Sequence, residues 1–209
     1  MTGNDITIAS MSVPVITYDV TMGRWAPDAT ARLAAAALEL YVQRGFDDTT
    51  VAEIAQRAGL SERTFFRHFA DKRDVLFSGS GQLQQLMVDA AASAPSGATP
   101  MAAITASLEA AAGVFEERRE FARARQSVIV DNAELREREL IKLANLTEAL
   151  AGTLRARNVK EPLASMTAEA GVASFRVAFE RWCAQRGRRP LIGFIREATN
   201  SLREAVSDT

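Results

Sequence analysis

Between Arg57 and Arg73 the sequence gathers five basic side chains (Arg57, Arg63, Arg67, Lys72, Arg73) against two acids, Glu62 and Asp71. Thr64 and His68 stand among them. Arginine can meet guanine through paired hydrogen bonds, whereas threonine can touch a thymine methyl or a phosphate. His68 and Lys72 fall later, where backbone contacts are favoured over base contacts. This is chemistry for a DNA groove. The alternative for any single Arg–Thr pair is a solvated face on an ordinary helix. The formal net charge of the 209-residue chain is only -1, so attraction to nucleic acid must be local, and nonspecific basic binding is a poor explanation.

Other chemistry lacks its residues. One histidine, His68, and one cysteine, Cys183, lie far apart and make neither a nucleophilic pair nor a metal site. No Gly-rich phosphate loop, HExxH, CxxC or GxSxG is present. Carboxylate pairs such as Glu116 and Glu120 are common on helix surfaces. No enzyme, cofactor or metal is expected. A lone cysteine fits a reducing cytoplasm. No apolar run approaches the roughly 20 residues that span a bilayer, so no membrane partner is expected. Residues 1–23 lack the basic start and apolar core of a signal peptide and read as an arm without assigned fold.

The positioning elements are marked by local signals. Asp28 to Arg44 reads as a helix stopped by Gly45, with Leu33, Ala37, Leu40 and Tyr41 on one face. Arg24, just before it, could touch a phosphate, although its neighbour Trp25 could equally pack on the helix start. Thr50 with Glu53 is a capping-box signature. Val51, Ile54, Ala55 and Ala58 make a two-turn stripe ended by Gly59. Ser61 then suits an N-cap, accepting from the backbone of Thr64. At about 100° per residue, Phe65, Phe66 and Phe69 share one apolar arc, opposite Arg63, Thr64, Arg67 and His68. Helix, tight glycine turn and capped helix form a helix-turn-helix pattern, whose partner is the major groove of double-stranded DNA.

Gly45-Phe46, Thr49-Thr50-Val51, Ile54-Ala55, Ala58-Gly59-Leu60-Ser61, Thr64-Phe65-Phe66-Arg67-His68-Phe69 and Lys72 resemble the N-terminal signature of tetracycline-repressor-type (TetR) regulators. The resemblance spans roughly Arg24 to Leu76. It implies a homodimer whose second helix-turn-helix helix enters the major groove, and a repressor that leaves a palindromic operator when a small molecule binds. By position, Arg24, Thr50, Ser61, Arg63, Thr64, Phe66, Arg67 and His68 would lie at or near DNA, and Lys72 would hold a phosphate. Where this chain has Phe66 the family often has tyrosine, and the missing hydroxyl removes one backbone hydrogen bond.

After the head, 24–76, residues 77–209 read as a larger helical body for effector binding and dimerisation. A fourth helix is expected from Asp71, interrupted by Ser78-Gly79-Ser80-Gly81 as either a kink or a joint, since each helical glycine costs about 1 kcal/mol relative to alanine. Met101–Arg118 and Phe121–Val130 read as helices. Asn132 is expected to cap a long helix to about Arg157, with Leu140, Leu143, Leu150 and Leu154 buried and Arg136 to Glu139 solvated. Thr167 opens the next helix; the last one carries Leu191, Ile195, Ala198, Leu202 and Val206. By resemblance the two C-terminal helices form the dimer interface, the alternative being that they pack on their own core. The fold is therefore expected to be all-α, with a three-helix helix-turn-helix head, a larger body and about nine helices. The resemblance implies an effector pocket in the body, for which Met87, Phe115, Phe121, Arg125, Phe175, Phe179 and Trp182 are candidates. Arg125 would suit the anionic group of an apolar or amphipathic effector; its other reading is an ion-paired or surface arginine. An all-α binding or scaffold protein without specific DNA reading remains the alternative, and a helical enzyme a weaker third.

Overall fold

The computed structural model describes residues 28–207; Arg24 and the arm 1–23 lie outside the described residues. Among the described residues there are nine α-helices, one 3-10 turn and no strand. The head begins with α1 (Ala29–Arg44), whose N-cap Asp28 accepts from the Thr30 amide and whose end is set by Gly45. Its apolar stripe, including Leu33, Ala37, Leu40 and Tyr41, is buried. In α2 (Val51–Arg57) the expected capping box is formed, with the Glu53 amide donating to Thr50 Oγ1 at 3.3 Å and the Thr50 amide donating to Glu53 Oε2 at 2.8 Å. Gly59 turns the chain at φ 66°, a left-handed conformation that calls for glycine. Ser61 then caps α3 (Glu62–His68), accepting from the Thr64 amide at 3.2 Å.

Asp71 acts as the next cap, but the turn it caps is not the expected α-helix. Its Oδ1 accepts from the amides of Arg73 at 2.8 Å and Asp74 at 3.0 Å, and the chain makes a 3-10 turn, Asp74–Phe77. Gly79 at φ 82° then separates this turn from α4 (Ser80–Ala92). A left-handed residue cannot continue a right-handed helix, so the fourth helix is broken in two.

The body comprises α4, α5 (Pro100–Glu117), α6 (Arg119–Asp131), α7 (Ala133–Ala156), α8 (Leu163–Ala184) and α9 (Leu191–Ser207). Asn132 caps α7 by accepting from the Leu135 amide at 3.1 Å. Helices α4, α5, α7, α8 and α9 enclose one apolar core around Met87, Ile104, Leu108, Leu150, Leu154, Trp182 and Ile195. At Gly171 a β-carbon would meet Ile104 Cγ2 at 2.2 Å, so α5 and α8 touch there only because the residue is glycine. The head core is not closed by the head alone. Val128 and Ile129 of α6 and Leu135 of α7 are buried in the same cluster as Leu33, Phe65, Val75 and Phe77.

Two expectations change. Leu140 is 61% exposed: it shares the face of Thr147 and Leu154 but lies near the start of α7, where it borders an open groove with residues of α6 and α8. The eighth helix begins at Leu163, a turn before Thr167. The apolar residues of the terminal helices, Val172, Phe175, Phe179, Trp182, Leu191 and Ile195, are buried in their own chain's core, so only the other faces of these helices are available to a second copy.

Candidate nucleic-acid interface and interior cavity

The five basic residues from Arg57 to Arg73 differ in what they already touch. Arg57 pairs with Glu39 at 3.0 Å and Arg73 with Asp71 at 2.6 Å. The Lys72 ammonium donates to the carbonyls of Phe46 (2.8 Å), Asp47 (3.1 Å) and Thr49 (3.0 Å), and stands 4.4 Å from the centre of the Phe46 ring. An ammonium has three protons, so none is left for the phosphate that the resemblance assigned to Lys72. Its place makes it a strut between the end of α3 and the loop that presents Thr50. Arg63 and Arg67 remain, exposed on α3 and without an acidic partner among the described residues.

Phe66 joins them. The helical period places it in the apolar arc with Phe65 and Phe69, but those two are 0% and 7% exposed while Phe66 is 56% exposed. One residue along a helix is a rotation of about 100°. With Phe65 at the centre of the buried side, Phe66 swings out to flank Arg63 and Arg67, three and one positions away. Its ring leans edge-on against Phe65, centroids 5.4 Å apart. The outer face of α3 thus reads Arg63, Phe66, Arg67.

The other candidates frame this face. Ser61 and Thr64 share a hydroxyl contact at 3.0 Å at the start of α3, and Thr50, exposed, begins α2. His68 Nδ1 lies 3.2 Å from Thr30 Oγ1, tying the end of α3 to α1. Arg32 clamps the turn by donating to the carbonyls of Ala58 at 2.5 Å and Gly59 at 3.4 Å. Its role had no local signal, since within α1 it reads as one more polar residue. The Tyr41 hydroxyl donates to the Lys72 carbonyl at 2.7 Å; burial, with the Asp71 charge adding to it, pushes this phenol's pKa well up. Desolvation would raise the Asp71 carboxyl, but hydrogen bonds from Arg73 and the charges of Arg73 and Arg138 outweigh it and hold the group below its ordinary range.

Inside the body a cavity of about 220 Å³ opens between α4, α5, α6, α7 and α8. Of the effector-site candidates, Met87, Phe115, Phe121, Arg125 and Phe175 line it. Trp182 does not: it is fully buried, with Arg119 and Arg123 stacked at 5.2 and 5.7 Å. Phe179 lines only a neighbouring groove of about 190 Å³, which shares Glu139, Leu143 and Phe175 with the cavity. Lining residues not singled out beforehand include Leu83, Arg118, Glu139, Lys142 and Leu143, together with Leu76 to Ser80 at the broken helix.

Arg125 turns out to be ion-paired. Its Nε donates to the Leu76 carbonyl at 2.7 Å, and its terminal nitrogens reach Glu139 at 2.7 and 3.4 Å. The guanidinium stands 4.9 Å from the Phe77 ring. Arg138 pairs with Asp74, and Arg73 with Glu134 at 3.3 Å. Arg138 and Glu139 are therefore not the solvated helix start that their charge suggested. These pairs tie the 3-10 turn to α6 and α7, so the break at Gly79 does not leave head and body without contact.

On the outside of α8, Leu163, Met166 and Val177 are 55%, 67% and 44% exposed. With Ala170 and Ala173 they form a stripe at alternating three- and four-residue spacing, the pattern of a helix seam. No helix among the described residues is long and apolar enough to cross a membrane.

Comparison with known proteins agrees with this architecture. Residues 33–78 match the family model described as bacterial regulatory proteins, tetR family, and residues 98–207 match the MftR C-terminal domain. The chain is 35% identical over 77 residues to the HTH-type transcriptional regulator TcmR of Streptomyces glaucescens, covering 37% of this chain and 34% of that protein. It is 33% identical over 58 residues to the putative mycofactocin biosynthesis transcriptional regulator MftR of Mycobacterium tuberculosis, covering 28% of this chain and 29% of that one. The aligned stretches thus span about a third or less of these curated relatives. Among solved structures, the transcriptional regulator FadR of Bacillus subtilis in complex with stearoyl-CoA superposes with a TM-score of 0.61 at 19% identity, over 82% of this chain and 96% of that one. FadR of Thermus thermophilus in complex with lauroyl-CoA gives 0.55 at 23% identity, over 84% and 93%. With the signature in the head and a family C-terminal domain over more than half of its length, the chain belongs to the tetR family of bacterial regulatory proteins.

Proposed function

We propose that this protein is a homodimeric, ligand-responsive transcriptional regulator of the cytoplasm, a repressor that leaves a palindromic operator when a small molecule occupies its body. The observation that carries the DNA reading is the outer face of α3, where Arg63 and Arg67 stand unpaired one turn apart, beside an exposed Phe66. Two arginines suit guanine edges, and an aromatic ring beside them suits a thymine methyl. Ser61, Thr64, Thr50 and His68 would approach the flanking backbone. The second copy docks along the Leu163–Met166–Ala170–Ala173–Val177 stripe of α8, and α9 joins it. Two heads then meet half-sites about 34–36 Å apart or somewhat more.

The cavity is the effector site. It is largely apolar and is walled in part by Leu76 to Ser80, so an occupant touches the segment that joins head to body. Effector binding favours a dimer whose heads no longer match the operator, and DNA and effector weaken each other reciprocally. The acyl thioesters bound to the two FadR relatives are amphipathic, as a cavity with charged and apolar walls requires.

The test is binding of the purified dimer to DNA flanking its own gene, by fluorescence anisotropy at rising salt. Arg63→Ala and Arg67→Ala should each weaken specific binding by about 1–3 kcal/mol and relax sequence preference at one position. If both variants bind with parental affinity and preference, α3 is not the reading helix.

A further inference from the structure

The cavity wall carries three cations, Arg118, Arg125 and Lys142, and one acid, Glu139. Arg125 is spent on Glu139 and the Leu76 carbonyl, so it is already neutralised and serves as a fastener between α6, α7 and the head. Arg118 and Lys142 have no ion-pair partner among the described residues. Lys142 is half-buried, and an unpaired ammonium partly out of water gains from any anion brought beside it. Both fall on the stripes that face the cavity. Arg118, Phe121, Ala122 and Arg125 follow helical spacing along α6, as do Glu139, Lys142, Leu143 and Leu146 along α7.

We infer that Arg118 and Lys142 form an anion subsite on the cavity wall and that the effector is an amphipathic anion, with a carboxylate or phosphate at this pair and an aliphatic part among Met87, Phe115, Leu143 and Phe175. The inference rests on the reading of the cavity as the effector site, and it moves the anion from Arg125, the arginine that the sequence suggested, to two residues that the sequence did not. An apolar chain gains from burial in proportion to its area whatever its head. The head therefore decides the preference between ligands of equal chain length.

The experiment uses the full-length dimer and three probes with the same chain: dodecanoate, dodecyl phosphate and dodecanol. Titration calorimetry should find the two anions bound at least about tenfold more tightly than the alcohol, the scale of one charge-assisted hydrogen bond. That preference should disappear in the Arg118→Gln/Lys142→Gln double variant and persist in Arg118→Lys/Lys142→Arg, which keeps both charges. A preference for dodecanoate alone or for dodecyl phosphate alone supports the subsite and identifies its head group. Equal binding of alcohol and anions, or a preference that survives the neutral double variant, overturns the subsite while leaving the cavity as an effector site. Binding of none of the three overturns the cavity reading and the subsite with it.

Discussion

Replacing Lys72 with methionine separates two roles that look alike in a simple binding assay. Methionine keeps the apolar stem and removes only the ammonium. Three charge-assisted hydrogen bonds are lost, to the carbonyls of Phe46, Asp47 and Thr49, together with the cation over the Phe46 ring at 4.4 Å. A hydrogen bond to a charged group contributes about 1.5–3 kcal/mol and the cation–aromatic contact about 0.5–1 kcal/mol. The sum overstates the loss, because the loop carbonyls lie near the surface and water replaces the ammonium at part of the cost. A net destabilisation of about 1–3 kcal/mol is expected, readable as a lower urea midpoint with an unchanged slope. Operator affinity should fall with it, because the strut holds the loop that presents Thr50 against the end of α3. The salt dependence of binding should stay as it is. A phosphate contact would instead remove about 0.9 from the slope of log K against log salt, or about 1.8 for a two-fold complex. A variant as stable as the parent with a slope shallower by that amount would refute the strut and restore Lys72 to the DNA backbone.

Gly171→Ala should destabilise the body by about 1–3 kcal/mol, because the added methyl would meet Ile104 Cγ2 at 2.2 Å; adding Ile104→Leu, which removes that branch, should recover part of the loss in a denaturant melt. Simple additivity of the two changes would show that α5 and α8 do not touch there. The Asp71 carboxyl, held below its ordinary range, contributes stability that is full above the unfolded value near 3.9 and is lost as pH falls through the lower folded value. Asp71→Asn should therefore lower stability at neutral pH and flatten its decline on acidification below about pH 4. A variant with the parental acid profile would sink the Asp71 cap as the source of that decline.

Where structure depends on neighbours along the chain, it was legible in the sequence. The caps at Thr50, Ser61, Asp71 and Asn132 involve groups within three residues, and all four are formed. Arg63 and Arg67 were recognisable for the same reason, from a helix start and a turn. The misplacements share another cause. Phe66 sits at the border of an apolar stripe, where about 100° of rotation decides between core and solvent, and Leu140 keeps to the buried face of α7 but lies beside an open groove; in both cases only the packed neighbour decides. Lys72, Arg32 and Arg125 are pinned by carbonyls 23 to 49 positions away, a separation that no local pattern records. The break after Phe77 was visible in its glycines, but the ion pairs that bridge it join residues far apart in sequence.

The burial of Val128, Ile129 and Leu135 in the head core has a consequence for anyone building chimaeras in this family. The two matched regions, 33–78 and 98–207, invite a cut in the short stretch between them, with one relative's head grafted onto another's body. In this chain the graft would carry away most of a core and leave three of its walls behind. A transplanted head must either bring side chains that fit those three or be accompanied by the matching turns of α6 and α7. The unit that evolution can exchange is therefore larger than the unit that the sequence signature marks.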